Sequence, residues 1–132
     1  QQQFVQRAVP YIPGLNVGVI YRPATYVSGD LFDVERLDEH HVSVFLADAV
    51  GHGVPAAMVA VTVYQYLQPQ SGHLIKRNSS SPGSLEIRGP SRVLEFLDQE
   101  YPFDRFNNFF TMNYVVLNIK TGALISSSAG HP

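Results

Sequence analysis

The chain has 132 residues, 45% hydrophobic and 15% charged, which is enough apolar material for the core of one domain. Nine Lys and Arg against eleven Asp and Glu give a formal charge of −2 with no basic run, so nucleic-acid binding lacks an electrostatic basis. Cysteine is absent, which excludes disulfides and thiol chemistry; no apolar stretch reaches the roughly 18 residues of a membrane span, and no secretory signal opens the chain, so the expected compartment is the cytoplasm.

The Gln1–Gln3 start without an initiator Met is expected of a piece of a longer protein. Gln1–Arg7 reads as the tail of a helix closed by Pro10 and Pro13, either a connector from an upstream sensory or response-regulator domain or a frayed terminus. Leu15–Tyr21 alternates apolar and small residues and is predicted as a strand. Tyr26–Arg36 is a second strand, interrupted by Gly29-Asp30. His41–Ala47 is the clearest strand, alternating at first and then continuously apolar, as expected where both faces are covered. The Leu37–His40 turn between these two runs predicts a hairpin.

Val54–Leu67 has valines that alternate like a strand, yet it is long and opens with Pro55-Ala56-Ala57. Proline in a first helical turn gives up no needed N–H, so a helix buried on most of its circumference is predicted. Gln68–Pro90 collects Ser, Gly and Pro and reads as a variable loop. Arg92–Tyr101 places Leu94, Leu97 and Tyr101 on one helical face. Phe109–Ile119 is a strand rich in aromatic and β-branched residues; Lys120-Thr121-Gly122 turns, and Ala123–Ala129 returns as its hairpin partner. Helices grouped between runs of hairpin strands predict an α+β domain with an antiparallel sheet. The last residues follow directly on a strand, so a sheet edge and face are expected to need further elements or a second copy of the chain.

Two aspartates carry the candidate chemistry. Asp30 follows Ser28-Gly29 just inside a strand, and Asp48 ends the most apolar strand ahead of Ala49-Val50-Gly51-His52-Gly53. Each taken alone reads as a turn or capping residue. Together they are 18 residues apart around the predicted turn, which puts them near the same end of adjacent strands. A carboxylate at the end of a buried strand needs a partner cation, and hard cations such as Mg²⁺ and Mn²⁺ take all-oxygen sites. The five histidines are scattered and do not form a zinc pattern; His40 and His41 are expected to be solvated at a turn, and His73 lies in the loop.

The run PATYVSGDLFDVERLDEHHVSVFLADAVGHGVPAAMVA, Pro23–Ala60, resembles the PPM-type serine/threonine phosphatases, in the branch of bacterial stage-II-sporulation-E-like and sigma-factor-regulating enzymes. Ser91–Tyr101 resembles that branch's second helix, and Phe109–Pro132 its next hairpin with an Ala-Gly-His-Pro ending. The resemblance implies a partial α/β/β/α sandwich of antiparallel sheets with two central helices. Residues 11–132 would be the N-terminal two-thirds of the domain, with the C-terminal part missing and 68–90 as its variable loop.

It also implies a two-metal hydrolase, in which Mn²⁺ or Mg²⁺ ions hold a bridging water, lower its pKa and clamp phosphate oxygens, so no side-chain nucleophile is needed. Asp30 matches the first metal-ligand aspartate, Asp48 the bridging one, and Ala49 the position whose backbone carbonyl coordinates. Ser28 replaces a commoner Gly, Asp33 matches a second acid with a hydrogen-bonding role, and His52 and His131 match structural positions. The family's later Thr/Ser-Asp-Gly motif and final aspartate do not occur by Pro132, so this chain is expected to be inactive alone. The substrate class implied is a phosphorylated anti-anti-sigma-type regulatory protein. The alternative is a non-catalytic binding or regulatory module derived from such a phosphatase.

Overall fold

The computed structural model describes residues 9–20, 22, 29–50, 54–77, 83, 85–100 and 109–132. The predicted helix tail at 1–7 lies outside them, as do 23–28 and the Gly51-His52-Gly53 turn. Strand β1, Asp30–Arg36, and strand β2, His41–Ala49, form the predicted hairpin. Asp38 closes its turn by accepting the His40 and His41 backbone N–H groups on Oδ1 at 2.8 and 2.7 Å, with the His41 ring beside it. These contacts, after partial loss of water that works against them, leave the Asp38 carboxyl below its usual range. His40 and His41 are therefore half-buried parts of the turn, where solvated side chains were expected.

Helix α1 is Val54–Tyr66 and helix α2 is Pro90–Glu100. Between them, Pro69–Ser71 makes a 3₁₀ turn, and the short strands β3, Ile75–Arg77, and β4, Leu85–Ile87, pair as a two-stranded ribbon. The expected 68–90 loop is thus partly ordered. The ribbon is anchored by Leu74, which is fully buried, and by His73 stacked on Tyr66 with ring centroids 3.6 Å apart. Strands β5, Phe110–Asn118, and β6, Leu124–Ala129, complete a four-stranded antiparallel sheet in the order β1-β2-β5-β6. The segment read as a strand at 15–21 forms none among the described residues; Leu15 makes an isolated bridge with Ile12. Its alternating residues leave Ile20 and Val19 exposed, so periodicity there never became sheet pairing.

One sheet face carries Leu31, Phe45, Ala47, Met112, Tyr114 and Val116, and both helices pack on it. From α1 come Ala60, Val63 and Tyr64, with Leu67 just past its end; from α2 come Val93 and Leu97. Burying a side chain the size of Phe45 is worth about 1.5–3 kcal/mol, so this layer is the main source of stability. Helix α1 is covered on most of its circumference, as expected: Ala56, Ala60, Val63 and Tyr64 are buried, and among its described side chains only the narrow stripe of Met58, Thr62 and Gln65 is exposed.

Among the described residues the opposite face is covered only near the hairpin turn, where Ile12 packs on Val34 and Val42 with Val9, Leu15, Val44 and Ile119 around them. Towards the other end Leu46 is 49% exposed. The expectation that β2 is enclosed on both faces fails there. Its apolar run supplies one face to the helices, and the other face is open among the described residues.

A paired-aspartate candidate metal centre at the open sheet end

Backbone register brings the two predicted aspartates together. Asp30 is the direct cross-strand partner of Asp48, and residues opposite one another in an antiparallel pair project from the same face. Both are exposed at the uncovered end of the open face, not buried as the sequence reading expected. The exposure follows from Leu46 and Asp48 lying on the face the helices do not cover.

Partial loss of water comes first in raising the Asp48 carboxyl above the usual range, followed by the Asp30 charge and a hydrogen bond shared with it. His131 pulls in the other direction. Two carboxylates held so close repel unless a proton or a cation lies between them. That is the donor chemistry of a hard divalent ion.

Ala49 is the third predicted member. It is buried, and its N–H donates to the Gly29 carbonyl at 3.2 Å. Its own carbonyl oxygen lies against Gly29, where a Cβ would overlap it. Gly29 is therefore required by close approach of the two strands. Val50 N–H donates to Phe109 O at 2.9 Å, which ties the strand end to the start of β5. No group of three or more His, Cys, Asp or Glu side chains converges among the described residues, so Asp30 and Asp48 stand as a pair of carboxylates.

Asp33 lies on the other face. It is buried, accepts from Gln68 Nε2 at 3.0 Å and from the Val34 N–H at 3.0 Å, and so ties β1 to the end of α1. Gln68 in turn donates to the Tyr64 carbonyl at 3.2 Å. This is the hydrogen-bonding role expected of Asp33. His52 lies outside the described residues.

The sequence reading passed over Thr111. It is the cross-strand partner of Asp48 on β5, and its Oγ1 lies 2.8 Å from His131 Nδ1. The signal for it was the pairing of β2 with β5, strands separated by both helices, which local pattern does not specify.

A sequence profile described as Stage II sporulation protein E (SpoIIE) matches residues 38–132. The chain is similar to "Phosphoserine phosphatase RsbU" of Bacillus subtilis (strain 168), 30% identical across 99% of this chain and 35% of that protein. It is also similar to "Phosphoserine phosphatase RsbP" of the same strain, 24% identical across 85% of this chain and 26% of that protein. "Protein IcfG" of Synechocystis sp. (strain ATCC 27184 / PCC 6803 / Kazusa) is 26% identical over 99% of this chain and 23% of its own. The chain therefore spans about a third or less of these relatives' lengths. Among solved structures, the RsbU and RsbW domains of Rv1364c from Mycobacterium tuberculosis superpose with a TM-score of 0.56 at 23% identity, covering 84% of this chain and 27% of that one. At that identity the likeness is one of fold.

Proposed function

The chain belongs to the stage II sporulation protein E family of PPM-type phosphatases, and on that premise we propose that it is the N-terminal part of a cytoplasmic phosphoprotein phosphatase domain acting on phosphoserine or phosphothreonine. The observation that carries this reading is the Asp30–Asp48 pair, set face to face across β1 and β2 at the open end of the sheet.

Asp30 and Asp48 would hold Mn²⁺ or Mg²⁺ there, with the Ala49 carbonyl completing one side of the shell. When bound, such a pair of ions supplies an acidified water as nucleophile and neutralises charge on the phosphoryl oxygens. The protein's part is geometric. The hairpin register keeps the two carboxylates on one face, and the Ala49 N–H bond to Gly29 fixes the edge they share. The Asp33–Gln68 bond holds β1 against α1 from behind. The substrate proposed is a phosphorylated regulatory protein of the anti-anti-sigma type; the two Bacillus relatives are named phosphoserine phosphatases, which supports the phosphoserine part of that reading. An upstream sensory or response-regulator domain in the whole protein, and pairing of two copies through the open sheet, complete the proposal.

Counting ligands sets the test. Two carboxylates and one carbonyl do not fix two near-octahedral ions. This 132-residue chain should therefore show no Mn²⁺-dependent hydrolysis of a phosphoserine protein above background. A chain that also carries the family's later aspartates should turn over, and there Asp48→Asn should abolish turnover. Robust Mn²⁺-dependent activity in the 132-residue chain would show that the ligand set is a different one. No turnover in the longer chain would leave the second reading, a binding module derived from a phosphatase, for which the partial shell of two carboxylates is the favouring observation.

A further inference from the structure

Three strands each present one residue at the same end of the open face: Asp30 on β1, Asp48 on β2 and Thr111 on β5, in direct cross-strand register. The chain beyond β6 turns back onto this row. Gly130 adopts a φ of 66° and bridges Met112 in parallel fashion. Ser128 Oγ donates to the His131 carbonyl at 3.0 Å, and Asn113 Nδ2 donates to the Pro132 carbonyl at 3.3 Å. These bonds seat the half-buried His131 ring with Nδ1 2.8 Å from Thr111 Oγ1.

We propose that His131 is a further substrate-binding residue of this site, fixed by Thr111 so that its Nε2–H donates a hydrogen bond to an oxygen of the substrate's phosphoryl group. The proposal rests on the phosphatase reading of the Asp30–Asp48 end. The two ring nitrogens of a histidine are not equivalent, and the partner of one decides where the proton sits on the other. In the proposed arrangement the Thr111 hydroxyl, 2.8 Å away, donates to Nδ1, and the ring's N–H is then at Nε2. Two carboxylates attract cations and repel a phosphoryl dianion. A ring N–H donor beside them supplies attraction for the phosphoryl oxygens. Hard divalent ions prefer oxygen donors, which also argues against the ring as a ligand. His131 is close enough to act on the Asp48 carboxyl, so it stands at the site and not merely at the end of β6.

The test uses the whole protein. With ¹⁵N-labelled histidine rings at about pH 8, where imidazole is neutral, His131 should appear as the Nε2–H tautomer. Thr111→Val should convert it to an exchanging mixture, and inorganic phosphate with Mn²⁺ should shift its Nε2 signal. A Nδ1–H tautomer, or an Nε2 signal that phosphate leaves unmoved, overturns the proposal even if the enzyme turns over.

In kinetics on a phosphoserine protein, His131→Ala should lower kcat/KM by about 10²-fold, the size of losing one preorganised donor. His131→Gln, whose amide nitrogen reaches near the Nε2 position, should recover at least about tenfold of that, while His131→Asn should not. Mn²⁺ affinity, read by electron paramagnetic resonance, should be unchanged in all three variants. An unchanged kcat/KM in His131→Ala, equal failure of Gln and Asn, or a collapse of Mn²⁺ affinity overturns the assignment. If the wild-type protein shows no turnover, the phosphatase reading fails by itself, and the tautomer and phosphate measurements still decide whether His131 binds a phosphoryl group.

Discussion

Replacing Asp48 with Asn should stabilise the metal-free protein while removing one of the two proposed carboxylate ligands. Asp48 faces Asp30 directly, and the Asp30 charge helps push its carboxyl upward. Like charges directly opposed on a sheet cost about 0.2–1 kcal/mol, and both side chains are exposed, so solvent screening keeps the effect towards the lower half of that range. About 0.5 kcal/mol is the expected gain for Asp48→Asn at pH 7 and low salt, a rise in Tm of roughly 2 °C for a domain of this size.

The pH dependence follows from the direction of the shift. A folded-state pKa raised above the ordinary 3.8 means the folded protein binds more protons than the unfolded chain in the window just above 3.8. Stability of the wild type therefore falls as pH rises through that window, whereas the Asn variant lacks this contribution. The gain should fade as pH falls through the window in which the Asp48 carboxyl takes up its proton, and shrink in about 0.5 M salt, which screens the repulsion. Asp30→Asn should give a similar gain, and the double variant little more than either single one, because one repulsion is being removed twice. Urea titrations at several pH values and salt concentrations measure all of this. A destabilised Asp48→Asn, or a gain independent of pH and salt, would refute the account of the pair as mutually repelling carboxylates.

Gly29→Ala should destabilise by about 1–3 kcal/mol, as overpacking against backbone does, because the new Cβ would overlap the Ala49 carbonyl oxygen; a neutral change in urea unfolding would show that the strands can part there. Tyr114 is fully buried, its hydroxyl approaches Ser43 without making a full hydrogen bond, and burial pushes its pKa up to about 12. Its proton is retained in the folded state, so stability should fall as pH rises from 10.0 towards about 12. Tyr114→Phe should remove that slope and change stability at pH 7 by no more than about 1 kcal/mol, since no satisfied hydrogen bond is lost. Alkaline denaturation curves of the two proteins compare them directly.

Local sequence determined the hairpin and the aspartate pair. The Leu37–His40 turn separates the two strand runs, and the register that pairs Arg36 with Val42 across it puts Asp30 opposite Asp48. The helix at 54–66 was also legible despite its alternating valines, because Pro55 and the length of the segment spoke for a helix. Other features depended on contacts distant in sequence. The apolar run of β2 looked the same whether one face or two would be covered; the helices took the Phe45 face and left Leu46 and Asp48 outward. Gln68–Pro90 has loop composition, yet Leu74 finds a pocket in the core and orders a ribbon around it. Leu15–Tyr21 has strand periodicity but pairs with no strand among the described residues, since alternation becomes a strand only when a neighbour accepts its hydrogen bonds. The seating of His131 needed three such decisions at once: β5 beside β2, β6 beside β5, and the turn at Gly130 back onto Thr111. No periodicity encodes them, because cross-strand register between distant segments is settled by the packing of the whole sheet against its helices.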